Sequence, residues 1–229
     1  MTSIISTPAL PLRAAARPDA VRGCVTPGCS CSATTSLATA PNVLTIARTI
    51  ACAALTVEAV AGASWRVLLA AVAAYWVGDV CDGILARSTA RETRFGAALD
   101  VVCDRACCAL VLLGAVALDP SFALPVAVYL LAFVVVDTLL SLTFLAWPLL
   151  GVNYLRHVDE RVWRLNFSPL AKLLNSAVFL LLLLSGRPYA AAAAAACALV
   201  LKSASLLRMV RTLLARPSGC FASSEVAQP

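Results

Sequence analysis

The sequence predicts an all-α membrane protein with six transmembrane helices. The mean hydropathy of +0.89 is far above that of a soluble domain. Only 13% of the 229 residues are charged, whereas about 25% is usual in soluble proteins. The apolar residues also come in long blocks, and each block can cross a bilayer as a helix that satisfies its own backbone hydrogen bonds.

Six apolar blocks follow one another along the chain. They are Val43–Ala63, Trp65–Ala86, Phe95–Leu118, Phe122–Ala146, Ser168–Gly186 and Pro188–Leu214. Each approaches or exceeds the roughly 20 residues that a helix needs to span the hydrocarbon core. These blocks define a predicted membrane domain of residues 41–215. Residues 1–40 are expected to form a flexible or interfacial tail, and residues 216–229 a C-terminal tail.

Arginine is distributed unevenly between the two sides of this predicted bundle. If the N-terminus is cytoplasmic, the cytoplasmic side holds Arg13, Arg17, Arg22, Arg87, Arg91, Arg94, Arg156, Arg161, Arg164, Arg208, Arg211 and Arg216. The opposite side then holds Arg66 and Arg187. Because basic residues are enriched in cytoplasmic loops, both termini are predicted to face the cytoplasm from the cell inner membrane. The net charge of +6 fits this explanation, and no basic stripe with interleaved aromatics indicates nucleic-acid binding.

Four aspartates lie inside the second and third predicted helices, where ionisable side chains are costly and rare. Asp79 and Asp82 are three residues apart near the end of the second helix, and Asp100 and Asp104 are four apart near the start of the third. Either spacing puts both members of a pair on one helical face. The connection, residues 88–94, is short and polar. The two helices should therefore be antiparallel neighbours whose four carboxylates converge near the cytoplasmic surface.

Four carboxylates in one place repel one another. Either most of them are protonated or cations neutralise them, and Arg87 and Arg105 can offset part of the charge. Sets of oxygen ligands suit Mg²⁺ or Mn²⁺, and two such ions about 3.5–4 Å apart can hold a phosphoryl group between attacking and leaving oxygens. Gly83, Ala86 and Gly96 surround the aspartates with small residues that permit a close approach.

Residues 79–104 resemble the signature of class I CDP-alcohol phosphotransferases (CDP-alcohol phosphatidyltransferases). The family pattern is D-x2-D-G-x2-A-R-x8-G-x3-D-x3-D, and the chain reads DVCDGILAR at 79–87 and GAALDVVCD at 96–104. All eight fixed positions match without a change of spacing, which makes the resemblance specific. It implies an Mg²⁺- or Mn²⁺-dependent membrane enzyme of phospholipid synthesis that moves a phosphatidyl group from CDP-diacylglycerol to an alcohol and releases CMP.

This resemblance assigns roles to individual residues. Asp79, Asp82, Asp100 and Asp104 match metal ligands, and Asp104 is also the expected general base. The positions expected to contact the CDP-linked lipid are Gly83, Ala86, Arg87, Thr93, Gly96, Asn42, Thr45 and Arg48.

Three further residues are candidates for binding the acceptor alcohol: Asp137, Lys172 and Arg105. For two of them a simpler interpretation remains open. Asp137, an acid inside the fourth span, can instead pair with a neighbouring helix. Lys172 can extend to the membrane interface. Lys202, in the last span, is expected to lie near a span end or to pair.

Different motifs in the chain indicate different acceptor alcohols. Thr93–Ala97 and Asp104–Arg105 resemble phosphatidylinositol and phosphatidylinositol-phosphate synthases, which indicates inositol or inositol phosphate. Pro41–Arg48 resembles the glycerol 3-phosphate branch at least as closely. The expected partners are a small polar alcohol, the lipid bilayer and a second copy of the chain in a homodimer. A transporter that uses the same carboxylates is the alternative from another functional class.

Overall fold

The computed structural model describes residues 29–30, 37–89 and 92–215. Within these ranges, six helical segments are long and apolar enough to cross a membrane. They are Ala40–Ala61, Trp65–Ser88, Arg94–Leu118, Pro120–Ala146, Glu160–Leu184 and Pro188–Ala215. The predicted all-α class with six membrane helices is therefore confirmed. The predictions for Arg13, Arg17, Arg22, Arg91 and Arg216, and for most of both tails, lie outside the described residues.

Eight α-helices build these spans, and the side chain of the residue just before the helix explains where several of them begin. The helices are α1 (Ala40–Ala61), α2 (Trp65–Ser88), α3 (Arg94–Leu118), α4 (Ala123–Leu130), α5 (Thr138–Leu142), α6 (Glu160–Asn166), α7 (Pro169–Leu184) and α8 (Pro188–Ala215). Thr39, Ser64, Thr93, Asp159 and Ser168 each cap the following helix by accepting a hydrogen bond from a backbone N–H. Such caps satisfy donors that a helix start leaves unpaired.

The fourth span is less regular than the sequence predicts. Between α4 and α5 the backbone forms a π-helical segment, Leu131–Asp137, and after α5 it tightens into a 3₁₀ turn. A π-helical segment is rare and often marks a functional position, because its wider turn redirects a side chain. Here the segment ends at Asp137, whose side chain is buried.

The fifth span also differs from the prediction, which began the helix at Ser168. The chain is already helical in α6, stops at Asn166 and restarts in α7. Pro169 explains the restart, because it has no backbone N–H to continue α6 but is well accommodated in a first helical turn. At the other end, Gly186 adopts a φ of 69° and ends α7, a conformation that favours glycine.

Helix packing separates the bundle into two parts. The α1 helix packs against α2 and α3, and α8 packs against α4 and α7. Small residues permit these approaches: Cys52 and Cys107 are fully buried where α1 meets α3. Ala191 and Ala195, from the alanine run of α8, are also buried within the chain. These two alanines are therefore not available to a second copy of the chain, and the homodimer stays a prediction.

The segment after the fourth span folds back over the start of α3. Arg94 donates from Nη2 to the carbonyl oxygens of Leu145 at 2.6 Å and Trp147 at 3.2 Å. The hydroxyl of Tyr154 donates to Glu92 Oε2 at 2.8 Å, and burial together with this bond raises the pKa of Tyr154 to about 12. These contacts hold the connection between α2 and α3 against the rest of the protein.

Candidate active site

Arg48, on α1, lies at the centre of three of the predicted aspartates. Its Nε donates to Asp82 Oδ2 at 2.9 Å and its Nη2 to Asp100 Oδ1 at 2.6 Å. The same Nη2 is 3.4 Å from Asp79 Oδ1. The planar guanidinium, with donors in a fixed fork, thus bridges acids from two other helices. Arg48, rather than Arg87, supplies the nearest positive charge to this group.

Asp79, Asp82 and Asp100 form a candidate metal centre. One carboxylate oxygen from each lies within 4.8 Å of the others, among the residues that the structure describes. The side chains of Asp79 and Asp100 are 45% and 43% exposed, whereas that of Asp82 is 5% exposed. The cluster therefore has one buried anchoring acid and two acids that remain open to a ligand. Three carboxylates with this access fit a hard divalent cation.

Thr45 ties the first helix to the same cluster. Its hydroxyl donates to Asp82 Oδ2 at 2.8 Å. Thr45 and Arg48 are three residues apart on α1, so both face α2. Arg48 Nη1 is buried without a hydrogen-bond partner in the described residues. An unpaired charged donor of this kind is costly unless a ligand completes it, and a phosphate oxygen would do so.

Asp104 lies outside this group of three and has different partners. Its Oδ1 accepts a hydrogen bond from the Tyr75 hydroxyl on α2, and its Oδ2 accepts one from Arg105 Nη1. Asp104 is therefore held between two donors at the α2–α3 contact, one turn along α3 from Asp100. Carboxylate oxygens retain further lone pairs, so these contacts leave Asp104 able to accept a proton.

Asp137 pairs with residues from two other spans. It contacts Arg105 Nη2 through Oδ2 and Lys202 Nζ through Oδ1 at 2.5 Å. These contacts agree with the interpretation that Asp137 pairs with neighbouring helices. They also show that Lys202 is paired rather than placed at a span end.

Residues of the α1 and α3 starts meet beside the cluster. The amide of Asn42 donates from Nδ2 to the Leu37 carbonyl at 2.8 Å. A Cβ added at Gly96 would lie 2.5 Å from Asn42 Oδ1 and 2.9 Å from Thr93 Oγ1. Gly96 is therefore required by the close approach of α1 to α3. Thr93 is buried and serves as the cap of α3.

The α2 face after Asp82 carries the remaining predicted lipid-contacting residues. Gly83 and Ala86 are partly buried and Arg87 is exposed. A Cβ at Gly83 would meet only the end of the Arg87 side chain, with Nη1 at 3.2 Å. Arg87 can therefore move toward a ligand without disturbing the helix. Lys172, on α7, is exposed and close enough to act electrostatically on Asp79.

A basic cavity of about 700 Å³ lies between α6 and α8. Its lining includes Arg161, Arg208 and Arg211, with Asp159 and Glu160 as acids. Arg208 Nε donates to Asp159 Oδ2 at 2.5 Å. Burial opposes ionisation of Asp159, but the bond from Arg208 and those from backbone N–H groups outweigh it and hold the pKa of Asp159 below its usual 3.8. Alternation of the spans puts this cavity at the same membrane face as the aspartates.

Two parts of this arrangement were not predicted from the sequence. Tyr75 was not considered, because a tyrosine inside an apolar helix is ordinary; its position four residues before Asp79 was the available signal. The link between Asp137 and Lys202 was also missed. Opposite charges buried in two spans of one bundle indicate a pair, since neither is stable alone in a membrane.

The family comparison agrees with the motif. A family model described as CDP-alcohol phosphatidyltransferase matches residues 38–204, and so covers all four aspartates, the first five spans and the first part of the sixth. Neither the comparison with curated proteins nor that with solved structures gave a match.

Proposed function

Because the chain belongs to the CDP-alcohol phosphatidyltransferase family, we propose that it transfers a phosphatidyl group from CDP-diacylglycerol to a small polar alcohol and releases CMP. Membership implies the general reaction, from a CDP-alcohol to an acceptor. The observation that carries the proposal is the convergence of Asp79, Asp82 and Asp100 around Arg48, with Asp104 one turn away.

Asp79, Asp82 and Asp100 would hold a divalent cation, Mg²⁺ or Mn²⁺, and Asp104 would complete a second site if two ions bind. The open carboxylates of Asp79 and Asp100 support this assignment. When bound, such ions neutralise charge on the transferring phosphoryl group and on the leaving phosphate.

Asp104 acts as the general base in this proposal. It accepts the proton of the acceptor hydroxyl, whose oxygen then attacks the lipid-side phosphorus. The bond from that phosphorus to the oxygen of CMP breaks, and CMP leaves with the electron pair. Tyr75 and Arg105 orient the carboxylate for the proton transfer. We assign this role to Asp104 because the other three acids form the candidate metal centre.

The donor lies along the α1–α2–α3 face in the proposed complex. Arg48 Nη1 and Arg87 are the cationic donors available for its phosphates. The donor can approach that face closely because three residues on it have small side chains: Gly83, Ala86 and Gly96. The face is flanked by Asn42, Thr45 and Thr93. The active-site end faces the cytoplasm, as the arginine distribution predicts.

The acceptor is a phosphorylated alcohol in this proposal, either inositol phosphate or glycerol 3-phosphate. The arginine-lined cavity between α6 and α8 supports a substrate that carries negative charge. Neutral inositol has no negative charge with which to pair Arg161, Arg208 and Arg211. Lys172 adds a cation near Asp79. The motifs themselves favour neither of the two phosphorylated acceptors.

CMP release by the purified protein tests the reaction. The protein in detergent is given labelled CDP-diacylglycerol and Mg²⁺ or Mn²⁺, with inositol, inositol phosphate or glycerol 3-phosphate in separate assays. CMP and one labelled phospholipid are expected to form together, and Asp104→Asn should slow the formation of both by a factor of about 10²–10⁴. Glu58→Gln, an exposed acid on α1, is the matched control. Absence of CMP with every acceptor, together with ion flux that Asp104→Asn abolishes, would support a transporter instead.

A further inference from the structure

A buried row of four alternating charges runs from the proposed base into the last helix. Asp104 contacts Arg105, Arg105 contacts Asp137, and Asp137 contacts Lys202. The side chains of Asp137 and Lys202 are each 5% exposed and that of Arg105 is 11% exposed. Their formal charges sum to zero. The row joins α3, the π-helical segment of the fourth span, and α8.

Arg105 is held in one orientation by the elements around it. Its Nη2 contacts Asp137 and also lies 3.1 Å from Ser141 Oγ. Its guanidinium carbon stands 4.0 Å from the centre of the Phe133 ring, a distance at which a cation is attracted to the face of the ring. These contacts leave Nη1 directed at Asp104 Oδ2.

Asp137 can hold Arg105 only if its own charge is balanced. A lone carboxylate in a membrane span is unstable, and Lys202 Nζ supplies the second cation at 2.5 Å. Without Lys202, the row would carry one net negative charge, and Arg105 would be shared between two acids with nothing to balance the second. The orientation of Asp104 would therefore depend on a residue three contacts away.

We propose that Lys202 is a positioning residue for Asp104 and that it acts through Asp137 and Arg105. The inference rests on the proposed function, in which Asp104 accepts the proton of the acceptor. Lys202 touches neither substrate nor reacting atom in this role. It fixes the carboxylate of Asp137, which aligns the guanidinium that orients Asp104.

The test compares Lys202→Met with Lys202→Arg, and uses Arg187→Met as a control that removes one exposed positive charge outside the row. In Lys202→Met, kcat is expected to fall on the order of 10²-fold, as for other small misplacements of catalytic groups. KM for CDP-diacylglycerol should stay near the wild-type value, because the donor site is built from α1, α2 and the start of α3. Lys202→Arg should recover most of kcat.

A double variant keeps the test decisive if Lys202→Met does not fold. Asp137→Asn with Lys202→Met removes one charge of each sign, so it buries no unbalanced charge. Arg105 then loses its anchor, and kcat should fall while KM for the donor is retained. Wild-type kcat in the folded double variant would overturn the inference, as would an equal loss of kcat and donor affinity.

A spectroscopic measurement separates this inference from the proposed function. The guanidinium ¹⁵N resonances of Arg105, assigned with Arg105→Lys, should move in Lys202→Met and in the double variant, and should stay in place in Arg187→Met. If the wild-type protein releases no CMP with any acceptor, the proposed function fails whatever these resonances do. If CMP is released but the Arg105 resonances and kcat do not respond to Lys202, the positioning role alone fails.

Discussion

Arg48 Nε lies 2.9 Å from Asp82 Oδ2, and both side chains are almost completely buried. The pair joins α1 to α2 next to Asp79 and Asp100, whose side chains are partly exposed. Because Nη2 of the same guanidinium reaches Asp79 and Asp100, one cation contacts all three acids and offsets one of their negative charges. The contact between Arg48 and Asp82 joins α1 to α2 without any contribution from a metal ion.

Arg48→Met should make the stability of the protein depend on metal. Removing one member of a buried ion pair typically costs about 3–5 kcal/mol, because the remaining charge is unbalanced. A bound divalent cation would replace much of that charge. Thermal unfolding in detergent should therefore show a lower midpoint for Arg48→Met and a larger upward shift with Mg²⁺ or Mn²⁺ than wild type shows. Arg66→Met, at the exposed start of α2, is the matched control; an equal metal response in all three proteins would contradict the prediction.

Asp100→Asn and Asp104→Asn should separate metal binding from proton transfer. Asp100 belongs to the group of three carboxylates, and Asp104 does not. We expect Asp100→Asn to weaken Mn²⁺ binding, measured by electron paramagnetic resonance, and to lower activity with it. Asp104→Asn should retain at least one bound Mn²⁺ and lose a factor of about 10²–10⁴ in kcat. Complete loss of Mn²⁺ from Asp104→Asn would show that this residue is indispensable for the metal centre itself.

Gly78→Ala and Gly83→Ala lie on the same helix, but the first should lower stability and the second should weaken donor binding. A Cβ at position 78 would stand 2.7 Å from both Cβ and Cδ of Arg48, so α1 and α2 would have to separate. Overpacking of this kind costs about 1–3 kcal/mol, visible as a lower unfolding midpoint. A Cβ at position 83 meets only the mobile end of Arg87. Gly83→Ala should therefore unfold like wild type and bind CDP-diacylglycerol less tightly. Comparable unfolding midpoints for the two variants would count against the close approach of Arg48 to α2.

Asp159 should contribute stability that is lost in acid. Its pKa in the folded protein is below the usual 3.8, so the stabilisation is fully present above about that pH and disappears as pH falls through the lower, folded value. Asp159→Asn should accordingly lose less stability than wild type between pH 5 and values below 3.8. Glu160→Gln, from an exposed pair with Arg164, is the control and should follow wild type. The measurement is the unfolding midpoint against pH, and parallel curves for wild type and Asp159→Asn would refute the assignment.

Much of the fold followed from composition, because a helix in lipid has little alternative. Apolar block lengths predicted six spans, and the turn at Gly186 and the restart at Pro188 appear in the structure as expected. The break before Pro169 and the π-helical segment ending at Asp137 were not predicted. Hydropathy along a segment reports neither feature, although Pro169 was a local signal for the break.

Some contacts of the candidate site could be predicted from the sequence and others could not. Helical spacing and a short connection predicted that all four aspartates meet. The structure groups Asp79, Asp82 and Asp100, and Asp104 lies one turn along α3 with other partners. Spacing could not predict that Arg48 enters from α1, or that Tyr75 contacts Asp104. Those contacts depend on the rotation of one helix against another. The charge balance of the membrane interior was the one signal that could have anticipated the pairing of Asp137 with Lys202.

The position of Lys202 on the final helix bears on how the protein is made. Synthesis begins at the N-terminus, so Arg48 enters the membrane before the acids that it balances. Asp137, by contrast, is made well before Lys202 and must share Arg105 with Asp104 until α8 docks. A chain shortened within its last helix could still assemble α1, α2 and α3 around the carboxylates. Under the positioning role proposed for Lys202, such a chain would leave Asp137 unbalanced, and its kcat should fall at least as far as that of Lys202→Met.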